Sequence, residues 1–201
     1  MDENLKTKTK ILDAAQSLML RQGFGTTSIE DICIAAGITK GGFFHYFKNK
    51  EDLGKAVTRH YWRNMQTVWD DAPFRKHADP LARVLKFIDY SVSASKGPGL
   101  EQRCLLGNFA QELSDTHPGI RSENSACFAE WSEYLKMDLD AAKKKYLSKK
   151  ALDTKGLADY VIATMEGSLL LAKAHQDKNV YIKNLKHLTR YVESIFKKKR
   201  P

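Results

Sequence analysis

The stretch Thr26-Thr27-Ser28-Ile29-Glu30-Asp31-Ile32-Cys33-Ile34-Ala35-Ala36-Gly37-Ile38-Thr39-Lys40-Gly41-Gly42-Phe43-Phe44-His45-Tyr46-Phe47-Lys48-Asn49-Lys50 decides the fold. Ile29, Ile32, Cys33 and Ala36 fall at i, i+3, i+4 and i+7, the spacing of one helix face, and Gly37 stops that helix early. Thr27 and Glu30 read as its capping box, the hydroxyl accepting from a free amide and the carboxylate reaching back. After the link Gly37-Ile38, Thr39 caps another short helix on which Phe43 and Phe47 share a face. Two short helices about a tight turn result.

Upstream, Ile11, Ala15 and Leu18, flanked by Leu12 and Met19, make an amphipathic helix that Gly23 closes in the left-handed region, with Phe24 packing back. Downstream, Asn49 and the acidic pair Glu51-Asp52 begin a longer helix carrying Leu53, Val57, Tyr61 and Met65. Past Asp71, the breaks Pro73, Pro80, Lys96-Gly97-Pro98-Gly99, His117-Pro118-Gly119 and Asp153-Thr154 separate five more helices, nine in all. The longest begins near Pro118 and carries Phe128, Trp131, Leu135, Leu139 and Ala142. The last two, about 154–175 and 179–197, carry Leu157, Val161, Met165, Leu169, Ala172 and then Leu185, Leu188, Val192, Ile195. No strand-like alternation bounded by hairpin turns competes, so the expected fold class is all-α.

With 201 residues, 42% hydrophobic and 28% charged, the chain is long enough to bury a core without staples and too apolar for extensive disorder. No apolar run approaches the roughly 18 residues of a membrane span, and Met1-Asp2-Glu3-Asn4 is unlike a secretory start, so a cytoplasmic protein is expected. Cys33, Cys104 and Cys127 are odd in number and lack C-x-x-C spacing, which argues for free thiols and against a zinc site. No cofactor or metal is implied. The net charge of +9 favours an anionic partner. Much of it, however, sits in Lys143-Lys144-Lys145, Lys149-Lys150 and Lys197-Lys198-Lys199-Arg200, which read as solvated helix faces and a tail. Enzyme signatures are missing: there is no local nucleophile motif, phosphate-binding glycine loop or H-E-x-x-H, so a non-enzyme is expected, with a helical adaptor as the rival binding role.

The helix from Thr39 carries chemistry of its own. Gly41 and Gly42 on its first turn each weaken a helix by roughly 1 kcal/mol relative to alanine, and close approach to another backbone is a compensating reason. Small residues there let the helix end press into a DNA major groove, about 12 Å wide, where free amides and the dipole favour phosphate. Lys40, Phe44, His45 and Tyr46 then project outward, Phe44 toward sugar or a thymine methyl, Lys40 and His45 toward base edges. Tyr46, Lys48 and Lys50 are expected phosphate donors, as are Thr27 and Ser28 from the start of the preceding helix. The residues alone leave open a plain helical hairpin with core aromatics and a surface histidine.

Thr26-Thr27-Ser28-Ile29-Glu30-Asp31-Ile32, Ala35-Ala36-Gly37-Ile38-Thr39-Lys40-Gly41 and Phe44-His45-Tyr46-Phe47-Lys48-Asn49-Lys50-Glu51-Asp52-Leu53 resemble the signature of TetR-family regulators, over about residues 7–55. The resemblance implies an N-terminal three-helix helix-turn-helix domain over 1–50 and a C-terminal ligand-binding and dimerisation domain over 51–201. It implies a sequence-specific DNA-binding transcriptional regulator, a repressor by the family's usual mode, that binds a palindromic operator as a homodimer through its last two helices. Gly42 stands where the family more often has Thr or Ser, and Phe43-Phe44 where it often has Leu-Tyr, so no operator sequence is carried over. A second stretch, Arg103-Cys104-Leu105-Leu106-Gly107-Asn108 followed by Glu112-Leu113, with Glu166-Gly167-Ser168-Leu169-Leu170-Leu171-Ala172-Lys173 later, is similar to a branch with Gly-Cys-Leu at the start of the sixth helix, some members of which sense electrophiles or oxidants through that cysteine; Arg103 replaces its usual glycine.

Two routes to operator release follow. A small apolar or aromatic effector is expected among some of Phe87, Tyr90, Phe109, Phe128, Trp131 and Met165, residues that equally fill a core. Alternatively an electrophile modifies Cys104, its thiolate favoured by Arg103 or Lys173, where a small buried hydrophobe is the plainer reading. For the dimer, Ala158, Ala163, Gly167 and Ala172 permit close helix packing, with an intramolecular core as the alternative.

Overall fold

The helices read from the sequence form in the folded chain, although several of their expected apolar stripes shift. In a computed structural model, which describes residues 3–95, 104–147 and 151–196, the elements in chain order are α1 (Glu3–Gln22), α2 (Ile29–Ala36), α3 (Lys40–Tyr46), α4 (Lys50–Asp70), a 3₁₀ turn (Pro73–Lys76), α5 (Pro80–Ala94), α6 (Leu105–Leu113), α7 (Pro118–Tyr146), α8 (Thr154–His175) and α9 (Lys178–Phe196). Among the described residues these nine helices, with no strand, meet the expected all-α class and number. Lys149-Lys150, Arg103 and the tail from Lys197 lie outside the described residues.

The chain divides into two compact units. The first holds α1 to α3, α4 through Val68, α6, and α7 through Phe128. Its core is one apolar cluster in which Ile11, Ala15 and Met19 of α1 meet Ile32 of α2, Phe43 of α3, Leu53 and Val57 of α4, Leu105 and Phe109 of α6 and Ile120 of α7. Gly23 ends α1 at φ +89°, where a side chain would be strained, and its N–H donates to Met19 O at 2.9 Å.

The capping box of α2 sits one residue later than the sequence reading placed it. Ser28 is the cap, Asp31 the reciprocal partner: Asp31 N–H donates to Ser28 Oγ at 3.0 Å and Ser28 N–H to Asp31 Oδ2 at 3.0 Å. The Ser28 hydroxyl, which donates to the same carboxylate, and then the Ser28 N–H hold the Asp31 carboxyl below its ordinary range. Thr27 is instead fully buried, its hydroxyl donating to Gly23 O at 2.7 Å, and Ser-x-x-Asp supplies the reciprocal pair in its place.

α4 is buried along two lines. Leu53 and Val57 lie on the expected one, but Tyr61 and Met65 are only half-buried. Gly54, Thr58, Trp62 and Trp69, spaced four, four and seven apart, form the second line. A Cβ at Gly54 would stand 2.7 Å from Ile120 Cδ1 and 2.9 Å from Phe24 Cε2, so the missing side chain is what lets α4 and α7 close on Phe24. On α7, Phe128 is half-buried, and the buried line runs through Ile120, Asn124, Cys127, Trp131, Leu135, Leu139 and Ala142.

The second unit holds the 3₁₀ turn, α5, α7 from Ala129, α8 and α9. Its rings stack in a chain: Trp69 meets Phe87 at 5.1 Å and Trp131 at 5.4 Å between centroids, and Phe74 meets Phe87 at 5.4 Å and Tyr90 at 5.5 Å. Arg75 and Arg83 both pair with Asp138, at 2.6 and 2.7 Å, pinning the 3₁₀ turn and α5 to α7.

Candidate nucleic-acid interface

The reading hairpin is built by caps. Gly37, at φ +65°, turns the chain after α2 with N–H bonds closing on Cys33 O and Ile34 O. Two residues later Thr39 opens α3, its Oγ1 accepting from Gly42 N–H at 3.1 Å. Phe43 and Phe47, 0% and 3% exposed, pin α3 to the core and so set which face it turns outward. That outward face carries Thr39, Lys40, Gly41, Phe44 and His45, all exposed, with Gly42 and Tyr46 half-buried at its margins.

Each outward group has a defined setting. Phe44 is 48% exposed, its ring edge-on to Phe43. His45 stands edge-on to Tyr46 at 4.9 Å. The Tyr46 hydroxyl donates to Asn4 Oδ1 at 2.9 Å, a hydrogen bond across 42 residues that draws the start of α1 to the recognition helix. Lys40 pairs with Glu30 at 2.5 Å; the shared hydrogen bond raises Lys40 and lowers Glu30 from their ordinary values. Both partners are about 60% exposed, so the pair adds little stability and exchanges readily. Lys48 is exposed, as are Lys6, Lys8 and Lys10 on α1.

The glycines of α3 have room around them. A Cβ at Gly41 would meet only Thr39 Oγ1, at 3.9 Å, and neither Gly41 nor Gly42 has the positive φ that demands glycine. Nothing in the described subunit requires Gly41.

Two expected phosphate donors are corrected. Thr27 is enclosed, as described above. Lys50 is half-buried: its ammonium donates to Gly25 O at 3.2 Å and lies 4.4 Å over the Phe24 ring, and burial pushes its pKa down. It serves the α1–α2 turn because α4 begins directly beneath that turn. The Ser28 hydroxyl is half-exposed but committed to Asp31, to which it donates at 2.7 Å. Asn4 and Glu112, both engaging the head, escaped the reading; Glu112 stood in a quoted motif without a role, and Asn4 carried no signal.

The expected effector residues divide between the units. Phe87, Tyr90 and Trp131 join the second unit's ring cluster, with Met165 5% exposed on α8. Phe109 does not join them: it is 1% exposed in the first unit's core, edge-on to Phe24 at 5.8 Å. Cys104 is a buried, extended cap residue of α6, whereas Lys173 is exposed on α8. Cys33, Cys104 and Cys127 are all buried and none is in a disulfide.

On the α8–α9 pair the alanines split. Ala158 and Ala172 are 0% exposed inside the subunit, which corrects their expected role at a dimer face; Ala163 and Gly167 are exposed. Tyr160, Leu170, Leu171 and Tyr191 are also exposed, each close to half of its surface. Tyr160 and Tyr191 stack at 5.2 Å beside a hollow of about 300 Å³ whose wall includes Thr164 and His187. Among the described residues no helix is long and apolar enough to cross a membrane, and no His, Cys, Asp and Glu cluster is set to hold a metal.

A capped α2–turn–α3 hairpin with a basic, aromatic, glycine-bearing outward face, carried on a helical body, defines a helix-turn-helix DNA-binding protein. Residues 11–57 match the family model for bacterial regulatory proteins of the tetR family, and residues 80–188 match the tetracyclin repressor-like C-terminal domain. An uncharacterized HTH-type transcriptional regulator from the lacX 3' region of Lactococcus lactis is 30% identical over 96% of each chain. The HTH-type transcriptional repressor DhaR of Mycobacterium sp. strain GP1 is 24% identical over 84% of this chain and 83% of its own. A TetR transcriptional regulator structure from Chloroflexus aurantiacus superposes with a TM-score of 0.84 at 26% identity, covering 96% of this chain and 97% of that one. The chain belongs to the TetR family of DNA-binding transcriptional regulators.

Proposed function

We propose that the protein represses transcription by seating two copies of α3 in successive major grooves of a palindromic operator, as a homodimer joined through α8 and α9. Residues 1–50 are the reading head in this proposal and 51–201 the effector-binding and dimerising part. The observation that carries it is the outward face of α3, where Gly41 has open space and no conformational need for glycine. Lys40 and His45 read base edges, Phe44 packs on sugar or a thymine methyl, and Tyr46, Lys48, the Thr39 cap and the first amides of α3 hold phosphates. One short helix touches few bases, so the second copy supplies affinity through effective concentration.

The test is selection of bound sites from random duplex DNA. The expected product is an inverted repeat whose half-site centres lie about 34 to 36 Å apart, or a multiple of that. A pool with no enriched sequence, bound only through salt-dependent charge, would remove the function.

Release is proposed to come from an effector, either an apolar molecule received by the ring cluster of Phe87, Tyr90 and Trp131 or an electrophile received by Cys104. The α6 cap position supports the second, since a modified Cys104 would disturb the end of a helix packed in the same unit as α3. A quinone is then expected to free operator from wild type and not from Cys104→Ser; equal release from both dismisses Cys104 as the sensor.

A further inference from the structure

The α1–α2 turn is held by a carboxylate from a distant part of the chain. Glu112, on the last turn of α6, accepts from Phe24 N–H through Oε2 at 2.9 Å and from Gly25 N–H through Oε1 at 2.6 Å. These two amides follow the end of α1 directly, just past the Gly23 N–H that closes its last turn on Met19 O. Lys50 holds the next peptide of the same turn, donating to Gly25 O at 3.2 Å while its ammonium lies over the Phe24 ring. The fit is close: a Cβ at Gly23 would stand 3.1 Å from Glu112 Oε2, and one at Gly25 would stand 3.2 Å from Oε1. Phe24 is further clamped edge-on by Phe109 of α6 and by His117, at 5.8 and 5.2 Å.

The held segment leads straight into the reading hairpin. Gly23 O accepts the buried Thr27 hydroxyl, Thr27 N–H returns to Phe24 O at 3.2 Å, and Ser28 is the cap of α2. The angle at which α2, and with it α3, leaves α1 is therefore fixed by a turn whose two free amides end on one α6 side chain. Charge-assisted bonds to backbone amides are short, directional and roughly twice as strong as neutral ones, which suits a fixing role.

Resting on the DNA-binding reading above, we propose that Glu112 is a positioning residue for operator recognition. Its carboxylate ties the reading head to α6 and so holds the α1–α2 turn from which α2 and α3 are presented. It touches no DNA itself. A purely electrostatic effect would run the other way, because removing a negative charge from a DNA-binding protein strengthens its attraction to any duplex. A positioning role demands the opposite for the selected site.

The experiment measures binding of the full-length wild type, Glu112→Gln and Glu112→Ala to the selected operator and to a scrambled duplex of equal length, at several salt concentrations, with the folded fraction of each checked by circular dichroism. Glu112→Gln, which keeps the shape and one acceptor, is expected to lose operator affinity by about tenfold, and Glu112→Ala by more. Affinity for the scrambled duplex is expected to hold or rise, and the salt slope to stay unchanged. Faster hydrogen exchange at the Phe24 and Gly25 amides is expected alongside. If folded Glu112→Gln binds operator within twofold of wild type, the proposal is overturned; should Glu112→Ala fail to fold, Glu112→Gln alone decides. A wild type that prefers no duplex at all would instead remove the DNA-binding reading.

Discussion

Gly41→Ala is expected to make the free protein more stable and the operator complex much weaker. Alanine is the better helix former by roughly 1 kcal/mol, and its Cβ would have only Thr39 Oγ1 nearby, at 3.9 Å, so denaturant unfolding is expected to shift upward by up to about that amount. Against DNA the added methyl holds the start of α3 away from the groove. A dimer repeats the displacement at both half-sites, so even about 1 kcal/mol at each gives a loss of about 30-fold. Urea unfolding and operator titration of the same preparation check both halves. Stability and affinity falling together would make Gly41 an ordinary folding residue.

Gly167→Arg is expected to split the dimer and carry operator binding with it. Nothing lies within 4 Å of a Cβ at Gly167, so the isolated subunit accommodates the change, and α8 loses a glycine that weakens it. On a face shared with a second copy, beside exposed Leu170 and Leu171, the same residue places a bulky cation where helices must approach closely. Sedimentation is expected to show a monomer. Without the linked second head, operator affinity is expected to fall by about 10² to 10⁴-fold. A dimer of wild-type strength would move the interface elsewhere.

What could be read in advance, and what could not, has a physical pattern. Helix stripes and stops were readable because they are local: Ile32 and Cys33 with Gly37, or Phe43 with Phe47, lie within two turns of each other and encode their own burial. The capping box slipped by one residue because Thr27 and Ser28 are both good caps, and the choice depends on which one the core encloses. The second buried line on α4 was hidden because glycine and threonine do not announce a core face, though Trp62 and Trp69 share it with them. Lys50 reads as a surface cation in any sequence; only the proximity of Phe24 and Gly25 O turns it inward. Glu112 binds amides 88 and 87 residues away, a separation at which no spacing rule operates.

The contact between Lys40 and Glu30 gives the recognition helix a resident rival to its ligand. If Lys40 reads DNA as proposed, it exchanges Glu30 for a base edge or a phosphate, and the carboxylate left behind then faces a polyanion. Random sequence offers only phosphate in exchange for that partner, whereas the right sequence offers a fitted acceptor as well. An exposed pair of this kind yields at small cost, so in the proposed complex Glu30 is a mild repulsive neighbour of phosphate rather than a lock on Lys40.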